Sequence, residues 1–321
     1  MTTQFNPYST YRAKFLHLLD SCRSEKNPAL WLYENNARVT LFMLESIARI
    51  WCRTFNDEIT HKWLKTFKKL EDLLGEIDNY DTFFKMLSKN KAVTKTQKEY
   101  FEKKRDKSLE KLNKTLLEKD FFKKFMIGCS KPGVLNFNAK NVLVKIEKEI
   151  KNEIAECGKF FANNADNFND MELQVHELRR KLRWISIYAQ SLRGIIILKE
   201  PYVNYNWEKE FVTESAKNSA YNKLPLKKGL KHYIIFNRKA FCALTFVIEE
   251  LAKIKDKGLL IEALARAIDK TMPYRNSSAL KSANKALKSD ITVKQLLEKA
   301  RKLLYKFFIA NQTHMALVTA R

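Results

Sequence analysis

Along most of the chain, apolar residues return every three or four positions, the spacing that gathers them on one face of an α-helix. The pattern predicts helices over about 8–24, 28–55, 59–90, 94–127, 139–165, 170–199, 232–254, 258–271, 276–288 and 292–318. Pro28, directly after Asn27, suits a first helical turn, where its missing N–H costs nothing. Two stretches interrupt the pattern. "CSKPGVLNFN" (129–138) sets Pro132 and Gly133 between two long helical runs, and 199–229 holds Pro201, Pro225 and Gly229. The second is longer than most connections between helices and predicts a short helix of its own. With seven glycines and six prolines in 321 residues, turn-formers are too scarce for a many-stranded β fold. The expected fold class is all-α.

The Pro132 break divides the chain nearly in half and prompts a search for an internal repeat. "NNARVTLFM" (35–43) lies over "HELRRKLRW" (176–184), with Arg38 matching Arg179 and Leu41 matching Leu182. "LEDLLGEIDN" (70–79) lies over "VIEELAKIKD" (247–256), with Leu74 and Ile77 matching Leu251 and Ile254. The offset grows from 141 (35 to 176) to 177 (70 to 247), and the irregular 199–229 region accounts for most of that difference. The expected organisation is a first helical repeat over 1–131, a connector over 132–138 and a second repeat over 139–321.

Charge changes the picture at "VHELRRKLRW" (175–184). At 100° per residue, His176, Arg179, Arg180 and Arg183 share an arc of roughly 100°, while Val175, Leu178, Leu182 and Ile185 form a separate apolar face. A plainly solvated face mixes signs at i,i+4, because like charges at that spacing repel. Here Glu172 can pair with His176, but nothing comparable follows Arg183. Such a face suits a multiply charged anion. The whole chain agrees: 60 Lys and Arg against 36 Asp and Glu give a net charge of +24, which points to nucleic acid, an anionic membrane or a phosphate polymer.

Other chemistries are poorly served. The five cysteines are scattered singly, and the five histidines form no H-x-x-x-H, so no zinc site is expected. The opening "MTTQFNPYSTYRAKF" has no apolar run of the secretory kind, and no stretch approaches the roughly 18 apolar residues of a membrane span. A cytoplasmic protein is expected. No P-loop, G-x-S-x-G or H-E-x-x-H is present, and nothing points to an enzyme. "EKEIK" (147–151) fits E-x-E-x-K, a metal-holding strand signature. Yet Val144, Ile146, Ile150 and Ile154 around it suit a helix, and no neighbouring strands are predicted.

The stretch V-H-x-L-R-x-x-L-R at 175–183, followed later by "LAKIKD" (251–256), resembles the motifs of the CHAD domain family, with "LLGEIDNYD" (73–81) as the first-half version. The resemblance spans essentially the whole chain, though its motifs are short. It implies two four-helix bundles related by a pseudo-twofold axis, with basic residues from both lining a central channel that binds inorganic polyphosphate without catalysis. It also implies a cytoplasmic setting in which association with polyphosphate granules is natural. Carried over by position, His176, Arg179 and Arg183 match the second-half motif, Arg180 shares their face, Arg38 matches the first-half arginine and Lys255 the basic residue before Asp256. The first half departs from the pattern. Asn35 stands for the histidine, Phe42 for an arginine, and Asp78 and Asn79 for the Arg-Asp pair. Lys62, Lys65 and Lys69 are candidates to supply the missing cations, and Arg238 and Lys239 stand at the equivalent helix start of the second half.

Polyphosphate carries about one charge per internal phosphate. Arginine forks engage such oxygens bidentately, while lysines act as mobile point charges. His176 is expected to be partly neutral near pH 7 and to gain charge beside a phosphate, so that binding strengthens on mild acidification. Two other readings use the same residues. A nucleic-acid-binding protein would stack bases on Trp184, Tyr188 and Trp207. A helical interaction scaffold would carry its charge incidentally.

Overall fold

The computed structural model describes residues 6–118, 121–122, 125, 137, 139–226, 229–272 and 278–318. The expected connector at 132–138 lies outside the described residues apart from Phe137. The fold is mostly helical, as the periodicity predicts.

Side-chain caps fix where most helices begin. In α1 (Pro7–Cys22) the Asn6 side chain accepts from the N–H of Tyr8, and in α2 (Pro28–Glu34) Asn27 accepts from that of Leu30, each proline taking the first turn. The predicted 28–55 helix is two helices, because Asn36 adopts φ 55° and ends α2 before α3 (Ala37–Phe55) starts. Asparagine tolerates this left-handed conformation better than most residues. Asp57 caps α4 (Glu58–Ser88), and a Thr94–Gln97 capping box opens α5 (Lys95–Leu117). The second half begins with α6 (Lys140–Asn164), which carries Glu147 and Lys151 of the E-x-E-x-K match on a helix. A wide π-helical turn, Met171–His176, then leads into α7 (Glu177–Ser191).

The predicted 170–199 helix stops at Ser191. Arg193 and Gly194 both take positive φ, and the isoleucine run that follows becomes strand β1 (Ile196–Lys199). It pairs in parallel with β2 (Ile234–Asn237), Ile196 opposite Ile234. Between them the irregular region folds into two short helices, α8 (Glu208–Phe211) and α9 (Glu214–Asn218). Asn237 caps α10 (Arg238–Thr271), one uninterrupted helix where the periodicity predicts two. Gly258 sits inside it because a Cβ there would lie 2.5 Å from Met171 Cε, so the π-helical turn packs directly on the α10 backbone. Helices α11 (Ala279–Ala286) and α12 (Val293–Tyr305) complete the second half.

The two halves share one apolar core. Helix α3 packs against α6 and α7, and α10 packs against α5. Polar links cross the same boundary. Ser46 and Ser191 hydroxyls are 2.7 Å apart, and Arg49 donates to the Tyr188 hydroxyl (2.9 Å), which itself donates to Glu153 (2.8 Å). Arg53 adds ion pairs to Glu149, Glu153 and Glu156 on α6. With α3 fixed against α7 in this way, their adjoining polar faces border a cleft. Among the described residues no helix is long and apolar enough to cross a membrane.

Candidate functional site

The cleft has a volume of about 710 Å³ and two opposed walls. One wall is built by α3 and α4, the other by the π-helical turn, α7, α10 and Tyr221. Six of the eleven expected site residues line it together: Arg38, His176, Arg179, Arg180, Arg183 and Lys255. The arginine face of "VHELRRKLRW" therefore does look into a concave site, set there by Leu178, Leu182 and Ile185, which are fully buried behind it.

The other five lie elsewhere. Lys62, Lys65 and Lys69 are exposed, and Lys65 and Lys69 border a shallow groove between α4 and α5 with Lys111 and Lys114. Helix phase explains this. The cleft face of α4 runs through Lys68, Glu71, Asp72, Gly75, Asp78 and Thr82, a strict i, i+3, i+4, i+7 stripe, and Lys62 and Lys69 sit roughly 120–140° around the helix from Gly75. The α4 lysine that reaches the cleft is Lys68. Arg238 pairs with Glu200 (3.0 Å), and Lys239 bonds Asn204 (2.8 Å) and Glu208, so both pin the 199–229 region to the start of α10.

The cleft lining is basic on one wall and mixed on the other. On the α7–α10 side Arg179, Arg180, Arg183 and Lys255 face two carboxylates of their own wall, Glu172 and Asp256. The α3–α4 side reverses that balance, with Arg38 and Lys68 against Glu45, Glu71, Asp72 and Asp78. Arg38 is committed within its wall: Nε donates to Glu71 Oε1 and Nη1 to Asp78 Oδ2, both at 2.7 Å. Gly75 makes room for this, since a Cβ there would lie 2.7 Å from Arg38 Nη2. Lys68 is held by both oxygens of Asp72 at 2.8 Å. Asp78, standing where the second half has Lys255, thus neutralises the first-half arginine.

The basic wall is less satisfied internally. Arg180 pairs with Glu177, and Lys255 with its neighbour Asp256. Arg179 donates through Nε to the Ile248 carbonyl (3.2 Å), and among the described residues it has no ion pair. Burial and then the adjacent Arg183 lower its pKa from the ordinary arginine value. Arg183 lies 4.5 Å from the Phe42 ring centroid, with its buried Nε lacking a hydrogen-bond partner. Phe42, a departure from the expected arginine, is therefore the surface on which Arg183 stacks. A third guanidinium at that position would meet Arg183 instead.

His176 ends the π-helical turn, and its buried Nδ1 has no hydrogen-bond partner. Burial, then Lys255, Arg179 and Arg180, push its pKa down to about 4. Burial and the neighbouring cations thus disfavour the charged imidazole, against the expectation of a partly charged histidine. On the opposite wall Glu45 is 4% exposed, and its Oε2 likewise has no partner. Burial and then the Glu71 carboxylate push it up to about 7. Sequence reasoning passed over Glu45, although an acid inside the apolar run "LFMLESIARI" (41–50) is a visible signal.

Trp184, Tyr188 and Trp207 are buried at 7%, 0% and 6% exposure, so none offers a ring face for base stacking. Among the described residues no group of three His, Cys, Asp or Glu side chains converges to hold a metal ion. Compared with protein-family models, with curated proteins and with solved structures, the chain matches none.

Proposed function

We propose that this protein binds inorganic polyphosphate in the cleft between α3–α4 and α7–α10, as a binding module and not as an enzyme. The observation that carries this reading is the unsatisfied basic wall. His176 and Arg183, whose buried Nδ1 and Nε lack partners, line the same cleft as Arg179, Arg180 and Lys255. Unpaired buried polar groups cost about 1–3 kcal/mol each, and an anion against this wall would offset part of that cost. A chain of phosphates supplies closely spaced oxygens of the right charge. The overall excess of 60 basic over 36 acidic residues favours a polyanion as well.

Two further observations support the CHAD-like reading, with two helical bundles in pseudo-twofold arrangement. Arg38 reaches Glu71, and Arg179 reaches Ile248, two positions separated by the same offset of 177 that aligns the α4 and α10 motifs. Leu74, Ile77, Leu251 and Ile254, the paired apolar positions of those motifs, are all buried. A cytoplasmic setting beside polyphosphate granules goes with this reading. A polynucleotide fits less well, because Tyr188 and Trp207 are buried away from the cleft and Trp184, in its wall, is only 7% exposed.

Calorimetric titration with polyphosphate of defined length, at two salt concentrations and with RNA of matched charge as competitor, tests the reading. Tight binding that weakens steeply with salt and resists RNA is expected. Arg179→Ala with Arg183→Ala should lower affinity at least about 100-fold, since each charge-assisted bond is worth about 1.5–3 kcal/mol. Absence of binding at low salt overturns the proposal, and equal displacement by RNA replaces polyphosphate with polynucleotide.

A further inference from the structure

We infer that the cleft takes its phosphate ligand together with a divalent cation, seated between the ligand's oxygens and the carboxylates of Glu45 and Glu71. The inference rests on the reading of the cleft as a phosphate site and answers a difficulty within it. A polyanion spanning the cleft meets arginines on one side and carboxylates on the other.

Those carboxylates are not equivalent. Asp72 is occupied by Lys68, and Asp78 is occupied by Arg38. Glu71 gives one oxygen to Arg38 and is 8% exposed. Among the described residues Glu45 has no ion pair; it is 4% exposed, lines the cleft, and its buried Oε2 has no hydrogen-bond partner. A buried carboxylate without a partner, beside a second carboxylate, favours a positive charge at that position.

The protein cannot fill that position with a metal by itself, because no third ligating side chain converges there among the described residues. That fits Mg²⁺, which favours octahedral oxygen coordination and is commonly held by one or two carboxylates, waters and the phosphates of a substrate. The cation and the polyphosphate would thus complete each other's site. The metal would relieve the repulsion between ligand and acidic wall while the basic wall engages the remaining phosphate oxygens directly.

A proton is the competing source of positive charge. Glu45 is faced by Glu71, Asp72 and Lys68 from α4, by Arg49 on its own helix, and by Arg179, Arg183 and His176 across the cleft. A carboxamide at either position cannot hold a cation in this way, so loss of the MgCl2 response in Glu45→Gln and Glu71→Gln separates the two.

The full chain is titrated with polyphosphate of defined length at pH 7, in EDTA and in excess MgCl2. For the wild type we expect MgCl2 to raise affinity about tenfold. Glu45→Gln should bind metal-free polyphosphate more tightly than the wild type, because a repulsive charge is gone, and should lose the gain from MgCl2. Glu71→Gln should lose that gain as well. Mg²⁺ also pairs with free polyphosphate, but it does so equally for every variant. An identical response to MgCl2 in the wild type and Glu45→Gln overturns the inference. Polyphosphate binding that ignores MgCl2 sinks this inference alone. Failure of the wild type to bind under any of these conditions sinks the phosphate reading with it.

Discussion

Each wall of the cleft holds one titratable group whose charged form burial disfavours, and the two are of opposite kind. His176, on the α7 side, is pushed down to about 4, while Glu45, on the α3 side, is pushed up to about 7. On the His176 wall the cations Arg180 and Lys255 pair with Glu177 and Asp256, while Arg179 rests on a backbone carbonyl and Arg183 on an aromatic ring. Around Glu45 the cations are tied down, Arg38 by two carboxylates and Lys68 by Asp72. A net charge of +24 would not have suggested this division. The difference teaches that a site's preference is set by which charges are left unanswered, and not by how many are present. One wall asks for an anion and the other for a cation.

The comparison can be broken most strongly at Glu45. Its carboxyl titrates higher in the folded protein than in the unfolded chain. Its contribution to stability is therefore present at low pH and is lost as pH rises from about 4.5 through 7. Glu45→Gln should gain about 3 kcal/mol over the wild type between pH 4.5 and pH 8, read as urea midpoints across that range. A difference independent of pH would mean that Glu45 is ionised freely and the acidic wall carries no penalty.

Arg38 comes next. Removing it leaves Glu71 buried without its partner, so Arg38→Ala should cost about 2 kcal/mol, somewhat less than a fully buried pair because Asp78 is half exposed. His176 gives a smaller effect of opposite pH sense. Its pKa is depressed on folding, so its contribution is present above about 6.5 and is lost as pH falls toward 4. The wild type should lose about 1 kcal/mol more than His176→Gln between pH 7 and pH 5.5. Saturating polyphosphate should abolish that loss by favouring the charged imidazole. Arg183→Ala should change stability least, by about 0.5–1 kcal/mol for the lost contact with Phe42. If Arg38→Ala and Arg183→Ala proved equally costly, the contrast between the walls would disappear.

Much of the basic wall was legible in the sequence. Helical spacing alone put His176, Arg179, Arg180 and Arg183 on one face, and the internal repeat pointed to Arg38. The lysines of α4 were not separable in this way. Lys62, Lys65, Lys68 and Lys69 occur within eight residues, and only the burial of Phe67, Leu70, Leu74 and Ile77 settles that Lys68 faces the cleft. The run "GIIIL" (194–198) read as the end of a helix because its apolar character suits either element. It is a strand because Ile234–Asn237 arrives beside it, a pairing with no local trace. The single helix across Gly258 was hidden for a related reason. Glycine reads as a breaker until Met171 is seen to need its empty side.

The sequence by itself determined the helical class, most helix starts through their caps, and the arginine face of α7, because periodicity and capping are properties of neighbouring residues. The tertiary structure alone decided what that face meets. Coulombic pairing and desolvation depend on which groups lie within a few ångströms in space, so only the packing of α3 and α4 opposite α7 and α10 shows what surrounds Glu45. The same packing commits Arg38 and leaves Arg183 open, and it makes a cleft with two walls out of a chain that composition describes as simply basic.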